Sequence, residues 1–348
     1  QNVVWADTAG HFGYWLCGTV PVRRSGDGVL PTPGWTGEGD WVRFLDFDEH
    51  PHVRDPSEGF IVTANNRQIG PEYPFHIGSN FASPYRALRI RQMVEASHDA
   101  TAAVVARQQM DVRDTHAERY LPVAVRAARA AGDTAATRLL EKWNAEATAD
   151  SRAAALFYVW YEKLRHGVGD DEYDGKDVFF PRYALDRVLD AGGGAWVDDV
   201  RTQRQETLDE LSTAAMREAV REVAGRRWGE LHSTVMRHAL GSVDLLDRTL
   251  ELNVGPFSNG GSPFTVDVAG YGSRLPFVND AGPSMRQVVD LSDPDGAGGF
   301  VIPTGESGLP FSPHYRDQAS LWRTGQLRTL PLDSTRAAKV RYRAVLRP

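Results

Sequence analysis

Two adjacent side-chain amides, Asn65 and Asn66, follow directly on the apolar run Gly59-Phe60-Ile61-Val62-Thr63. A primary amide presents N–H donors without carrying charge, which suits a group meant to meet the negative charge that develops on an attacked carbonyl oxygen. The same residues suit a turn equally well, because Asn tolerates the left-handed region and bonds its own backbone. Residue type alone leaves both readings open. The run before them has the β-branched and aromatic richness of a buried strand, so the pattern predicts two polar amides at a strand's end. Further on, Pro84-Tyr85-Arg86 opens a helix-like run.

The elements that must hold these residues fall into three stretches. Residues 1 to 85 read as strands and tight loops, with Val3–Asp7 and His11–Cys17 as a hairpin around Ala9-Gly10. The segment from Leu30 to Trp41 reads as a long ordered loop, with Trp35 and Trp41 as packing anchors. From Tyr85 to Arg248 the pattern turns helical. Arg89–Val94 is expected to run on into an Ala-rich helix at Thr101–Gln109, followed by helices at Leu121–Ala131, Ala136–Trp143, Ser151–Leu164 and Thr207–Val223. Ser151–Leu164 is apolar around most of its circumference, which predicts a central buried helix capped by Asp150 or Ser151. Its Phe157, Tyr158, Trp160 and Tyr161 read as core packing.

The third stretch returns to strands at Phe264–Val268, Ser284–Leu291, Gly299–Pro303 and Ala338–Val345, with a helix near Tyr315–Thr324. This β–α–β order fits neither a doubly wound sheet nor a repeat array. Antiparallel sheets carrying helical layers accommodate it. The expectation is an α+β fold in one intertwined domain over residues 1–348: core strands and active-site loops at 1–85, a helical insertion at 86–250, and core strands plus a helix at 251–348.

Composition excludes several classes. The 348 residues are 41% apolar, ample for a core. A net charge of −7 and a pI near 5.8 argue against a nucleic-acid surface. There is no run of 18 apolar residues, so no membrane-spanning helix is expected. Cys17 is the only cysteine and reads as a buried strand residue. His232 and His238 stand six apart, which is not the i, i+4 spacing of a helical metal pair, and read as structural. Gly192–Gly194 and Asn259–Gly261 lack the Lys-Ser/Thr ending of a phosphate loop. The acidic string Gly169–Asp177 lacks the twelfth-position Glu of an EF-hand and reads as a solvated loop.

Taken in order, several segments resemble the penicillin acylase family of N-terminal-nucleophile amidohydrolases. They are Leu30–Gly37, Asn65-Asn66, Pro84-Tyr85-Arg86, Trp228–His232, Arg237-His238, Gly282–Arg286, Val288–Leu291, Gly305–Gly308 and Phe311–Gln318. The resemblance covers nearly the whole chain and implies the four-layer αββα fold. It implies cleavage of a small N-acyl amide substrate, such as a β-lactam side chain, an acyl-homoserine lactone or a lipopeptide. In that family the first residue of the large subunit, usually Ser, attacks while its own α-amine serves as base. Gln1 has no nucleophilic atom, and the resemblance places it well inside the large subunit. The expected partner is therefore the upstream part of the same precursor: the small α subunit and the N-terminal part of the β subunit. The chain alone is expected to be inactive, and the intact protein secreted or periplasmic.

By the same match Asn65 takes the place of the oxyanion-hole amide and Arg86 that of the active-site arginine. Asn66 is the weaker candidate and reads as structural. No cofactor is implied. A structural calcium stays open, because Phe75-His76-Ile77-Gly78 fills the region where some relatives carry an acidic ligand. Thr63 also departs from the Asn that many members have at that position. The alternative is a noncatalytic binding module on the same scaffold.

Overall fold

Asn2–Ala6 (β1) and Phe12–Leu16 (β2) form the expected hairpin. At its turn the Asp7 carboxylate accepts from the N–H groups of Ala9 and His11, and Gly10 takes a φ of +90°. Such a φ is cheap for glycine alone. Pro21–Arg23 (β3) and Trp41–Phe44 (β4) pair as a separate antiparallel ribbon. His52–Arg54 (β5) then pairs with β2, completing a three-stranded sheet in the order β1-β2-β5. Tyr85–Glu95 is the first helix (α1). The computed structural model describes residues 1–172 and 180–329. The chain separates into two compact units, Gln1–His98 and Asp99–Pro348, so α1 belongs with the strands that precede it.

Three expectations fail in the first unit. Gly59–Thr63 is not a strand: its backbone pairs with no ladder, and its apolar side chains face a cleft instead of a sheet neighbour. Trp35 is 90% exposed and Trp41 59%, so neither anchors its loop within the described residues. Cys17 lies just after β2 and is half-buried, with its N–H bonded to the Gln1 carbonyl.

The second unit is built around helices with polar caps. Ala102–Gln108 (α2) starts at Thr101, whose hydroxyl accepts from the Val104 N–H, so α1 does not run on into it as expected. Asp114, Asp133, Ser151 and Thr207 cap Thr115–Ala130 (α3), Thr134–Glu141 (α4), Arg152–Gly169 (α5) and, after Arg182–Ala191 (α6), Leu208–Val223 (α7). Each satisfies an orphan amide of the first turn. The expected central helix is α5: Phe157, Tyr158, Trp160 and Tyr161 are at most 1% exposed. Trp160 Nε1 donates to the Ser212 carbonyl on α7 at 3.3 Å. Asp114 is buried and accepts from Ala117 N–H, Tyr158 Oη and Ser262 Oγ, joining α3, α5 and a loop 148 residues away.

Past the short helix Trp228–Leu231 (α8), a four-stranded sheet forms. It contains His232–Met236 (β6), Val254–Ser258 (β7, after helix α9 at Asp244–Leu250), Gly270–Tyr271 (β8) and Phe277–Ala281 (β9) in the order β7-β6-β9-β8. The β6/β9 pair is parallel. Arg286–Val288 (β10) and Gly299–Val301 (β11) pair antiparallel, and Ala319–Thr324 (α10) is the last described helix. Phe264–Val268, expected as a strand, is a turn in which Ser262 N–H donates to Thr265 Oγ1. The expected strand Ala338–Val345 lies outside the described residues, as do the last five residues of the acidic string Gly169–Asp177. No helix among the described residues is long and apolar enough to cross a membrane.

Candidate active site

The extended segment Phe60–Thr63 delivers the chain to Ala64, which is buried, and then to Asn65, whose φ is +62°. Asn is among the few non-glycine residues that occupy this left-handed region at modest cost. The turn swings the Asn65 side chain out of the segment, and the Asn65 carbonyl accepts from the Ala82 N–H at 2.9 Å. Asn66 is spent on its neighbours. Its Oδ1 accepts from the Ala64 N–H at 3.1 Å and from Gln68 Nε2 at 2.9 Å, and its Nδ2 donates to the Arg67 carbonyl at 3.1 Å.

Arg86 is the second residue of α1, and its Nη2 donates to Asn65 Oδ1 at 3.1 Å. A guanidinium can only donate, so the Asn65 oxygen must face it and the NH2 end must point the other way. Asn65 is solvent-exposed, and its Nδ2 makes no hydrogen bond among the described residues. The amide therefore presents open N–H donors while its oxygen is held.

Arg86 itself is half-buried, and desolvation pulls its pKa below the ordinary arginine value. Among the described residues no carboxylate pairs with it, whereas Arg91 on the same helix is shared by Glu58 and Glu95. Its position in the first turn of α1 adds the positive end of the helix dipole to its own charge. The neighbourhood of Asn65 is thus electropositive. Beside it, a cleft of about 530 Å³ is lined by Phe60, Ile61, Val62, Gln68, Tyr73 and others; Asn65 stands beyond Val62, outside that lining.

The structure brings the two sequence candidates Asn65 and Arg86 together, and places beside them Gln68, which sequence reasoning did not single out. The signal was present only as a second amide two residues after Asn66. Several of the family-like segments after residue 98 serve the second unit's own architecture. The Ser307 N–H donates to the His314 carbonyl, His314 Nδ1 lies 3.0 Å from the Asp317 carboxylate, and Tyr315 Oη donates to the Leu252 carbonyl. His232 is fully buried, stacks on Trp228 at 4.6 Å and has its pKa lowered to about 4, chiefly by desolvation. His238 caps a turn through Leu240 N–H. Among the described residues no three His, Cys, Asp or Glu side chains converge on a common metal position.

The sequence pattern of the penicillin amidase family matches residues 1–339. The chain belongs to the penicillin amidase family. It is 30% identical over 385 residues to the acyl-homoserine lactone acylase QuiP of Pseudomonas aeruginosa, covering 95% of this chain and 44% of that protein. It is also 30% identical over 339 residues to the penicillin acylase 2 proenzyme of Pseudomonas sp. strain SE83, covering 92% and 43%. A shorter match, 44% over 66 residues, joins it to the penicillin G acylase of Escherichia coli. The chain thus spans less than half the length of the relatives that match it along most of its own length. All of it aligns with 68% of the thermostable penicillin G acylase from Alcaligenes faecalis, at a TM-score of 0.59 and 16% identity. The penicillin amidase chain therefore has the α+β fold of an N-terminal-nucleophile hydrolase, as its sequence led us to expect.

Proposed function

We propose that this chain supplies the oxyanion-stabilising part of an amidohydrolase that cleaves a small N-acyl amide. Asn65 Nδ2 donates to the oxygen of the attacked carbonyl, and Arg86 holds the amide in that orientation. The nucleophile is a Ser hydroxyl at a chain terminus on polypeptide beyond these 348 residues, with its own α-amine as base. Such an amine has a reference pKa of about 7.7 to 8.0 and accepts a proton near neutrality, where a lysine does not. The upstream part of the same precursor is the partner that brings this group. In support, this chain spans 44% of QuiP, and one relative is named a proenzyme.

The observation that carries the reading is the Arg86 Nη2 to Asn65 Oδ1 bond, which leaves a neutral amide with open donors in an electropositive setting. A donor fixed before reaction stabilises the tetrahedral oxyanion with little reorganisation. The relatives' names point to acyl amides with different leaving groups, an acylated homoserine lactone and a penicillin. The test is Asn65→Ala within the complete reading frame, assayed on an N-acyl-homoserine lactone and on penicillin G. Loss of one oxyanion donor typically lowers turnover about 100- to 1,000-fold, and that fall is expected with the fold intact. Near-normal turnover removes Asn65 from the chemistry.

A further inference from the structure

Asn66 and Gln68 form a bracket around the left-handed residue Asn65. The Ala64 N–H can only donate, so the end of the Asn66 amide that faces it at 3.1 Å must be the oxygen. That assignment propagates. Gln68 lies 2.9 Å from the same Oδ1 and must present its NH2 there, from which Nε2 also reaches the Asn66 carbonyl at 3.4 Å. The remaining Asn66 donor closes on the Arg67 carbonyl. Residues 64, 66, 67 and 68 are thus tied to one another through two side-chain amides. Asn65 sits inside the tie at φ +62°, with its own amide left to Arg86.

A residue held at positive φ returns to the ordinary wells when its surroundings loosen, and a rotation there carries the side chain with it. A misplacement of about 1 Å at a reacting centre can cost about 100-fold in rate. We infer that Asn66 and Gln68 are positioning residues: through their shared hydrogen bond they fix the backbone at Asn65 and so aim its carboxamide. The inference rests on the reading of Asn65 as the oxyanion donor. Gln68 also lines the cleft next to Asn65, so the bracket registers the cleft wall against the amide.

Gln68→Met keeps the side chain's length and apolar stem and removes the donor. In the complete protein we expect kcat to fall about 5- to 20-fold with KM changed less than about twofold, the loss of one positioning hydrogen bond. Gln68→Glu sets an acceptor against Asn66 Oδ1 and is expected to cost more than Gln68→Met. Asn66→Asp retains the acceptor for Ala64 N–H and Gln68 but replaces the donor to the Arg67 carbonyl with a second acceptor, and is expected to lower kcat at least as much as Gln68→Met. The deciding measurement is the double variant: Gln68→Met added to Asn65→Ala should produce no further fall, because its effect acts through Asn65.

A further fall of the same size in the double variant, a rise in KM with kcat unchanged, or failure of Gln68→Met to fold each overturns the positioning role. Should Asn65→Ala lose turnover while Gln68→Met keeps it, the bracket fails and the oxyanion reading stands. Should Asn65→Ala keep turnover, the oxyanion reading itself fails, and the positioning role with it.

Discussion

Arg86 Nη2 stands 3.1 Å from Asn65 Oδ1, and this one bond sets which end of the Asn65 amide is left open. An exposed asparagine otherwise samples both orientations, and only one of them presents N–H to a developing oxyanion. The contact joins the second residue of a helix to a turn 21 positions earlier, so it also fixes the turn against α1.

From this follows a graded prediction for Arg86. Hydrogen bonds to charged groups contribute about 1.5 to 3 kcal/mol, so Arg86→Ala in the complete protein should lower kcat about 10- to 100-fold. Arg86→Lys keeps the charge but loses the planar fork, and should fall between wild type and Arg86→Ala. Steady-state kinetics on one N-acyl substrate check both. A KM effect with kcat untouched would instead place Arg86 in ground-state binding.

Strain and chemistry at Asn65 separate by substitution. Alanine at φ +62° carries a cost of roughly 1 to 2 kcal/mol that glycine does not. Asn65→Gly should therefore be as inactive as Asn65→Ala in the complete protein, yet more stable than it by about 1 kcal/mol in chemical denaturation. Equal stabilities would mean that the turn is relaxed.

His232 predicts an acid limb to stability. Desolvation lowers its folded pKa to about 4, and the hydrogen bond to the Asn259 carbonyl offsets this only in part. The unfolded chain takes up the proton near pH 6.5, the ordinary histidine value, while the folded one stays neutral. The stability is therefore complete above about pH 7.5 and is lost as the pH falls from about 6.5 to about 4, by on the order of 3 kcal/mol. His232→Phe preserves the ring against Trp228 and should flatten that limb. Urea midpoints at pH 7.5, 6 and 5 for both proteins decide it, and identical slopes would count against the burial argument.

Asp114 is the polar centre of the helical unit. Asp114→Ala leaves the Ala117 N–H, Tyr158 Oη and Ser262 Oγ without their acceptor in a buried site and should cost about 3 to 5 kcal/mol. A loss below about 1 kcal/mol in equilibrium unfolding would show that the hydroxyls find other partners.

What the sequence disclosed follows from how local each signal is. The helices α5 and α7 were legible because apolar periodicity runs over many residues, and Ser151 could be read as a cap within one turn; α3 was legible only from Leu121, because its first turn at Thr115 and its Asp114 cap fall before the apolar repeat. Gly59–Thr63 misled because an extended apolar segment looks the same whether it lines a cleft or joins a sheet. The strands β6 and β9 are five residues each, and their parallel pairing across 45 positions left no local mark. Asn65 and Arg86 were legible through the family resemblance. The open Nδ2 was not, because it depends on which amide end meets the guanidinium. The Ser262 partner of Asp114, 148 residues away, was beyond any spacing argument.

Differential binding gives the most direct test of Asn65 as the oxyanion donor. In the complete protein, a phosphonate analogue of the tetrahedral intermediate should bind Asn65→Ala about 100-fold more weakly than wild type, the loss expected for one oxyanion donor, while the KM for the matching amide stays within about twofold. Equal affinity of the analogue for the two proteins, or a parallel loss for analogue and substrate, would contradict it.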